Sequence, residues 1–297
     1  MEVTRVSEKG TLLKSLLSTK KIIVAPGAHD ALTAKIIERA GFEAVYVTGY
    51  GLSASVLGKP DVGLLTMTEM VSRISAIAEA VSLPLICDGD TGYGNAVNVV
   101  RTVREYEKAG AACIQLEDQI TPKKCGHMQG KQVVSTEEMV GKIRAAVEAR
   151  RSPDFLIMAR TDARAVYGIE EAIRRGKAYE EAGADILFVE APQSEEEMRM
   201  ITSSLKVPCV ANMVEGGKTP YVPVERLSEL GYKIAIFPTA STFRTAKALL
   251  DMMMDLKEHG TLKQSLDETL SFDQFNELIG LDEITNLEKK FLPKVSA

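Results

Sequence analysis

The chain has 297 residues, 45% of them hydrophobic and 26% charged, with a formal net charge of −5, so a large globular core is possible and a nucleic-acid partner, which needs a basic surface, is not expected. No apolar run approaches the roughly 20 residues that span a bilayer, and the start MEVTRVSEKG lacks the apolar centre of a signal peptide. The expectation is a cytoplasmic protein with no membrane partner.

Eight short apolar runs follow one another along the chain: IIVAPG from Ile22, AVYVTGY from Ala44, LPLICDGD from Leu83, AACIQLED from Ala111, FLIMARTD from Phe155, ILFVEAP from Ile186, VPCVANM from Val207 and IAIFP from Ile234. Each is rich in Val, Ile, Leu or Phe without polar alternation, the pattern of a parallel strand buried on both faces. Helical patterns separate them. In NAVNVVRTVREYEKAG the three-residue spacing of Val97, Val100, Val103, Tyr106 and Ala109 predicts one buried face. Several helices close on glycine, at Gly41, Gly110, Gly183 and Gly231. Strand then helix, eight times, predicts an α/β fold of the (β/α)8 barrel type, a single domain over 1–297 with 261–297 as a helical extension. The run TASTFRTAKALLDMMMDLKEHG and the segments beyond it exceed what eight strand–helix units need. Their apolar positions Leu249, Met252, Met253, Phe272, Phe275 and Leu278 could cover the barrel or cross to a neighbouring subunit.

Residues just past the strand ends line one mouth of such a barrel, so Asp88, Asp90, Glu117, Arg160, Glu190 and Asn212 are expected to converge. Three carboxylates from adjacent strands, Asp88, Asp90 and Glu117, would raise one another's pKa unless a cation held them. Oxygen ligands without histidine suit Mg2+ or Mn2+; the competing reading is that these acids cap helices or solvate loops. Cys87, Cys113 and Cys209 fall inside strands and read as buried small apolar residues. Cys125 stands instead in the polar loop PKKCGH, where Lys123, Lys124 and His127 favour an anionic substrate and are expected to lower the thiol pKa. The alternative is an inert thiol. Gly92, Tyr93 and Gly94 begin a dinucleotide fingerprint that fails at Val97, and EGGKT lacks the first glycine of a P-loop, having Asn212 there. EGGKT reads better as a mobile loop whose Lys218 contacts an anion. Asp30 reads as a helix N-cap and His259 as a surface residue at a helix end.

DGDTGYGNA, QLEDQ, PKKCGHMQGK, MARTDAR and ANMVEGGKTP, in this order, resemble the isocitrate lyase/phosphoenolpyruvate mutase superfamily over nearly the whole chain. The members most similar in appearance are 2,3-dimethylmalate, petal-death-type and methylisocitrate lyases and carboxyphosphonoenolpyruvate phosphonomutases. The resemblance implies a barrel whose last helix is swapped between subunits of a homotetramer, acting on a small dicarboxylate with Mg2+. It implies that Asp88 ligates the metal directly, with Asp90, Glu117 and Asp61 acting through water. Thr48, Gly49 and Tyr50 would hold a substrate carboxylate, Gly126, Arg160, Glu190 and Asn212 would surround the reacting groups, and Cys125 would protonate a carbanion. The expected reaction is cleavage of 2,3-dimethylmalate to pyruvate and propionate. The alternatives are methylisocitrate cleavage, phosphonomutase chemistry, oxaloacetate hydrolysis and a non-catalytic binding protein. Phe272 is expected to disfavour a third substrate carboxylate, with Arg244 as a possible compensating cation, and Pro238 to disfavour oxaloacetate hydrolysis.

Overall fold

The computed structural model describes residues 2–292, and side chains from residue 8 onward. All eight apolar runs form strands: β1 Ile23–Ala28, β2 Val45–Val47, β3 Leu85–Asp88, β4 Cys113–Glu117, β5 Leu156–Thr161, β6 Ile186–Val189, β7 Val210–Asn212 and β8 Ile234–Phe237. They pair in parallel in the order β6-β5-β4-β3-β2-β1-β8-β7. A single parallel bridge, Leu187 to Cys209, joins the two ends of that order and nearly closes the barrel.

Side chains alternate across each strand, so the chain carries two cores. The inner one contains Ile23, Ala25, Ala44, Tyr46, Ile86, Cys113, Leu156, Met158, Ile186, Phe188, Val210, Ile234 and Ile236, and Leu13 and Leu16 of the helix Glu2–Thr19 pack with it. The outer one, which includes Val45, Val47, Leu85, Cys87, Ile114, Leu116, Ile157 and Leu187, lies between strands and surrounding helices. Alternation also fixes the mouth. Two residues beyond the inner-core positions Tyr46, Ile86, Met158, Phe188 and Val210 stand Thr48, Asp88, Arg160, Glu190 and Asn212. Their convergence therefore follows from the same period of two that builds the core.

Gly41, Gly110, Gly183 and Gly231 each follow a helix with φ between +86° and +103°, as the sequence predicts. Asp30 caps the helix Ala31–Arg39, its carboxylate accepting from Thr33 N at 2.7 Å. The helix Ala96–Lys108 corrects one expectation. It buries Val99, Thr102, Val103, Tyr106 and Glu107, whereas Val97 is 78% exposed. A strict three-residue spacing drifts about 60° per step around a helix, so it cannot track one face over four turns.

The chain divides into two compact units, residues 1–242 and 243–297. The second holds the long helix Ala240–His259 from residue 243 onward and the helices Phe272–Ile279 and Leu281–Phe291, and no residue from 243 to 292 is buried. Phe272, expected to discriminate substrates, is here and is 83% exposed; Arg244 is exposed as well. His259 is also exposed at its helix end, with Nδ1 2.9 Å from Asp255 Oδ1. Among the described residues no helix is long and apolar enough to cross a membrane.

Candidate active site

At the carboxyl end of β3, Asp88 is gripped from two sides. Gln115 of β4 donates its Nε2 to Asp88 Oδ1 at 3.3 Å and is itself held by the Tyr46 hydroxyl at 3.0 Å. Tyr106 donates its hydroxyl to the Asp88 carbonyl at 3.0 Å. The backbone of Gly49 passes so close that an added Cβ would stand 2.7 Å from Asp88 Oδ2, so this approach requires glycine. Thr48 caps the short helix Gly49–Leu52, its hydroxyl accepting from Gly51 N at 3.2 Å. First-turn N–H groups such as those of Gly49 and Tyr50 can receive a carboxylate.

Lys123 lies across the acids. Its Nζ is 2.6 Å from Asp61 Oδ1 and 2.8 Å from Asp90 Oδ1, with the side chain 4% exposed. Burial disfavours that ammonium, but Asp90, Asp61, Asp88 and Glu117 together hold it protonated, well above the usual lysine range. Burial likewise raises the Asp90 carboxyl, to about 6 despite Lys123, and raises Glu117 against the pull of Arg160 and Lys123. Both Glu117 oxygens are buried without a hydrogen-bond partner.

Arg160 forms the opposite wall. Its Nε and Nη2 donate to Asp162 at 2.9 and 3.1 Å, Nη2 reaches Glu190 Oε2 at 3.2 Å, and Nε lies 3.3 Å from Glu117 Oε2. Glu190 is fully buried and also receives Asn212 Nδ2 at 3.2 Å. Asn212 Oδ1, Thr219 Oγ1 and His127 Nε2 are buried and unpartnered. Because His127 Nδ1 accepts from Lys218 N at 3.0 Å, the hydrogen bond assigns the ring proton to Nε2, which faces Glu190 Oε1 at 3.4 Å. Burial lowers the pKa of His127 and keeps the ring neutral.

Residues 120–132 form the loop that carries Cys125. A bridge from Gln119 to Val133 and the bond from Ile120 N to Gln132 O at 2.9 Å pinch its base. Its tip is held by polar contacts: Cys125 N donates to Asp61 O at 3.2 Å, and Gln119 Nε2 donates to Lys124 O at 2.7 Å. A Cβ on Gly126 would stand 2.5 Å from both Arg160 Nη2 and Glu190 Cδ, so only glycine lets the tip lie on those side chains. Gly217 shows the same need, since its Cβ would meet the His127 ring at 2.8 Å.

Two electrostatic expectations need correction. The Cys125 thiol pKa is pushed up to about 11 by burial, reinforced by Asp61 and Glu190, which outweighs Arg160 and the bond from His127 N. Lys124, the sequence neighbour expected to lower it, turns its Nζ to the carbonyls of Gln129 and Gly130. The side chain of Lys218 is exposed, and it is the backbone amide that serves the site. Cys87, Cys113 and Cys209 are buried, as expected.

All the expected mouth residues, with Asp61, Lys123, Cys125, Gly126 and His127, thus belong to one constellation. Sequence reasoning missed Gln115, Lys131 and Asp162. Asp162 had a signal, standing two residues from Arg160 on one strand face. Lys131 Nζ bonds Asp162 Oδ1 at 2.6 Å and the Gly126 carbonyl.

Asp61, Asp88, Asp90, Glu117, Asp162 and Glu190 share this mouth with Lys123, Lys131 and Arg160, a surplus of three negative charges if all ionise. That surplus and the orphaned Glu117 oxygens fit a hard divalent cation. Among the described residues no three His, Cys, Asp or Glu side chains are grouped to hold an ion by themselves. An ion here would draw most of its oxygens from water and substrate, a habit of Mg2+.

The family described as phosphoenolpyruvate phosphomutase matches residues 13–257. A 2,3-dimethylmalate lyase of Eubacterium barkeri is 60% identical over 94% of this chain and 96% of its own. A 2-methylisocitrate lyase of Aeropyrum pernix is 49% identical over 91% and 87%. The crystal structure of a 2,3-dimethylmalate lyase, described as a PEP mutase/isocitrate lyase superfamily member, superposes with a TM-score of 0.91 at 37% identity, covering 97% of this chain and 96% of that one. With the motifs, the barrel and the mouth in agreement, the chain belongs to the phosphoenolpyruvate phosphomutase family within the isocitrate lyase/PEP mutase superfamily.

Proposed function

We propose that the chain is a Mg2+-dependent carbon–carbon lyase that cleaves 2,3-dimethylmalate to pyruvate and propionate. The observation that carries this reading is Cys125, a half-buried thiol held protonated on a loop whose tip lies on Arg160 and Glu190. The 60% identical lyase supplies the substrate class. Breaking the C2–C3 bond turns the 2-hydroxyl carbon into the carbonyl of pyruvate and leaves the electron pair on the propionate carbon. The hydroxyl proton would go to a base, the role assigned to Glu190, and the carbanion would take a proton from Cys125. Amides of Gly49 and Tyr50 would hold the carboxylate beside the hydroxyl. Arg160 would oppose the charge growing on oxygen, while His127 Nε2–H would donate to the leaving acid. Mg2+, ligated by Asp88 with Asp90, Glu117 and Asp61 through water, would supply Lewis-acid stabilisation of the 2-oxygen.

Methylisocitrate cleavage is the second reading, favoured by the 49% identical relative. A third carboxylate would enter a mouth that already has more carboxylates than cations, so the smaller alkylmalate is preferred. Four free cysteines fit a reducing compartment, the cytoplasm. A second copy of the chain would cover the exposed Leu281, Ile284, Leu287 and Phe291 of the last helix, within a homotetramer. In D2O with Mg2+, 2,3-dimethylmalate should yield pyruvate and propionate bearing one solvent deuterium at C2; absence of pyruvate would overturn the proposal.

A further inference from the structure

We propose that Lys131 is a positioning residue, a fixed strut that receives the tip of the Cys125 loop and ties its closed placement to Arg160; its catalytic consequence rests on the lyase reading above. The Lys131 side chain is 1% exposed, and its Nζ bonds both the Gly126 carbonyl and Asp162 Oδ1. Asp162 in turn grips Arg160 through two bonds, and its own amide is fixed by Asp118 Oδ1 at 2.9 Å. Lys131 stands at the root of the loop, next to the pinch where Ile120 N meets Gln132 O. Its place therefore does not depend on the tip, whereas the Gly126 carbonyl reaches it only while the tip lies on Arg160 and Glu190.

No large apolar side chain is buried between Pro122 and Gly130, so polar contacts hold the tip, and a charge-assisted bond in a buried site is among the strongest of them. Removing the ammonium leaves Asp162 with Arg160 as its counter-ion, so the fold should survive. The closed placement of Cys125 should not. Substrate groups bound at the strand ends are untouched, which predicts a kcat defect with little change in KM.

The test measures labelling of Cys125 by an aromatic disulfide in the ligand-free full-length protein, for wild type, K131M, K131Q and K131R, beside kcat and KM. K131M and K131Q should label about tenfold faster or more than wild type, the scale of one lost charged hydrogen bond. K131R, which keeps the charge, should stay within about threefold of wild type. In turnover the same two variants should lose kcat about tenfold or more, with KM within about threefold. Wild-type labelling in folded K131M and K131Q would overturn the proposal. Because labelling needs no substrate, faster labelling in a protein that does not cleave 2,3-dimethylmalate would leave the strut standing and remove only the lyase reading.

Discussion

Residues 2–242 and 243–292 handle charge and apolar surface in opposite ways. The barrel unit packs two apolar cores and buries carboxylates as well, Asp118, Asp162 and Glu190 among them, each facing a cation. Among the described residues of the second unit none is fully buried, and Phe272, Leu281, Ile284, Leu287 and Phe291 face solvent. A buried charge without its partner is strongly unfavourable, and an exposed apolar face is favourable only when something covers it. The first unit leaves unpartnered buried atoms at its mouth, on Glu117, His127 and Asn212; the described part of the second leaves its apolar side chains exposed.

The largest effect should come from Asp88→Ala, which removes the proposed direct metal ligand while leaving the core. Loss of about 10³-fold or more in kcat/KM is expected, with a thermal melt close to wild type and loss of Mg2+ binding by calorimetry. Retained Mg2+ affinity would break the assignment of the mouth. Next is Arg175→Met. Arg175 Nη1 reaches Asp118 Oδ2 at 3.1 Å inside the barrel unit, and leaving that carboxylate without the guanidinium should destabilise the protein by about 3–5 kcal/mol in urea titration. Cys125→Ser should keep the melt and KM and lose about 10²-fold in kcat. Turnover near wild type would favour chemistry that needs no carbanion protonation, such as a phosphonomutase.

Smaller effects sharpen the other half of the contrast. Ile284→Glu in the exposed face should leave the barrel's circular-dichroism spectrum unchanged but lower the assembly mass in sedimentation. An unaltered mass would show that this face is not the covered one. The smallest signal is the pH profile of Cys125 alkylation in metal-free protein. With the pKa pushed to about 11, labelling should keep rising above pH 9 where a free thiol levels off.

The fold was legible because parallel strands buried on both faces leave continuous apolar runs, and all eight are found. The mouth was legible because a side chain two residues past an inner-core residue points the same way. What escaped depends on distant contacts. Lys131 is buried by Asp162, which lies 31 residues away, and by Gly126. Gln115 is hidden inside an apolar strand. The direction of the Cys125 shift was misread because adjacency in sequence put Lys124 beside the thiol, whereas in space that ammonium faces backbone carbonyls and burial decides. Lys218 was noticed for its charge, but it is the amide that bonds His127.

The most direct test of the central claim is keto-acid release by the purified full-length protein from 2,3-dimethylmalate, methylisocitrate and oxaloacetate, each with Mg2+ and after exhaustive chelation. Pyruvate is expected from 2,3-dimethylmalate with the highest kcat/KM of the three, abolished by chelation and restored by Mg2+ or Mn2+. Full turnover in the chelated protein, or a higher kcat/KM for methylisocitrate or oxaloacetate, would contradict that claim.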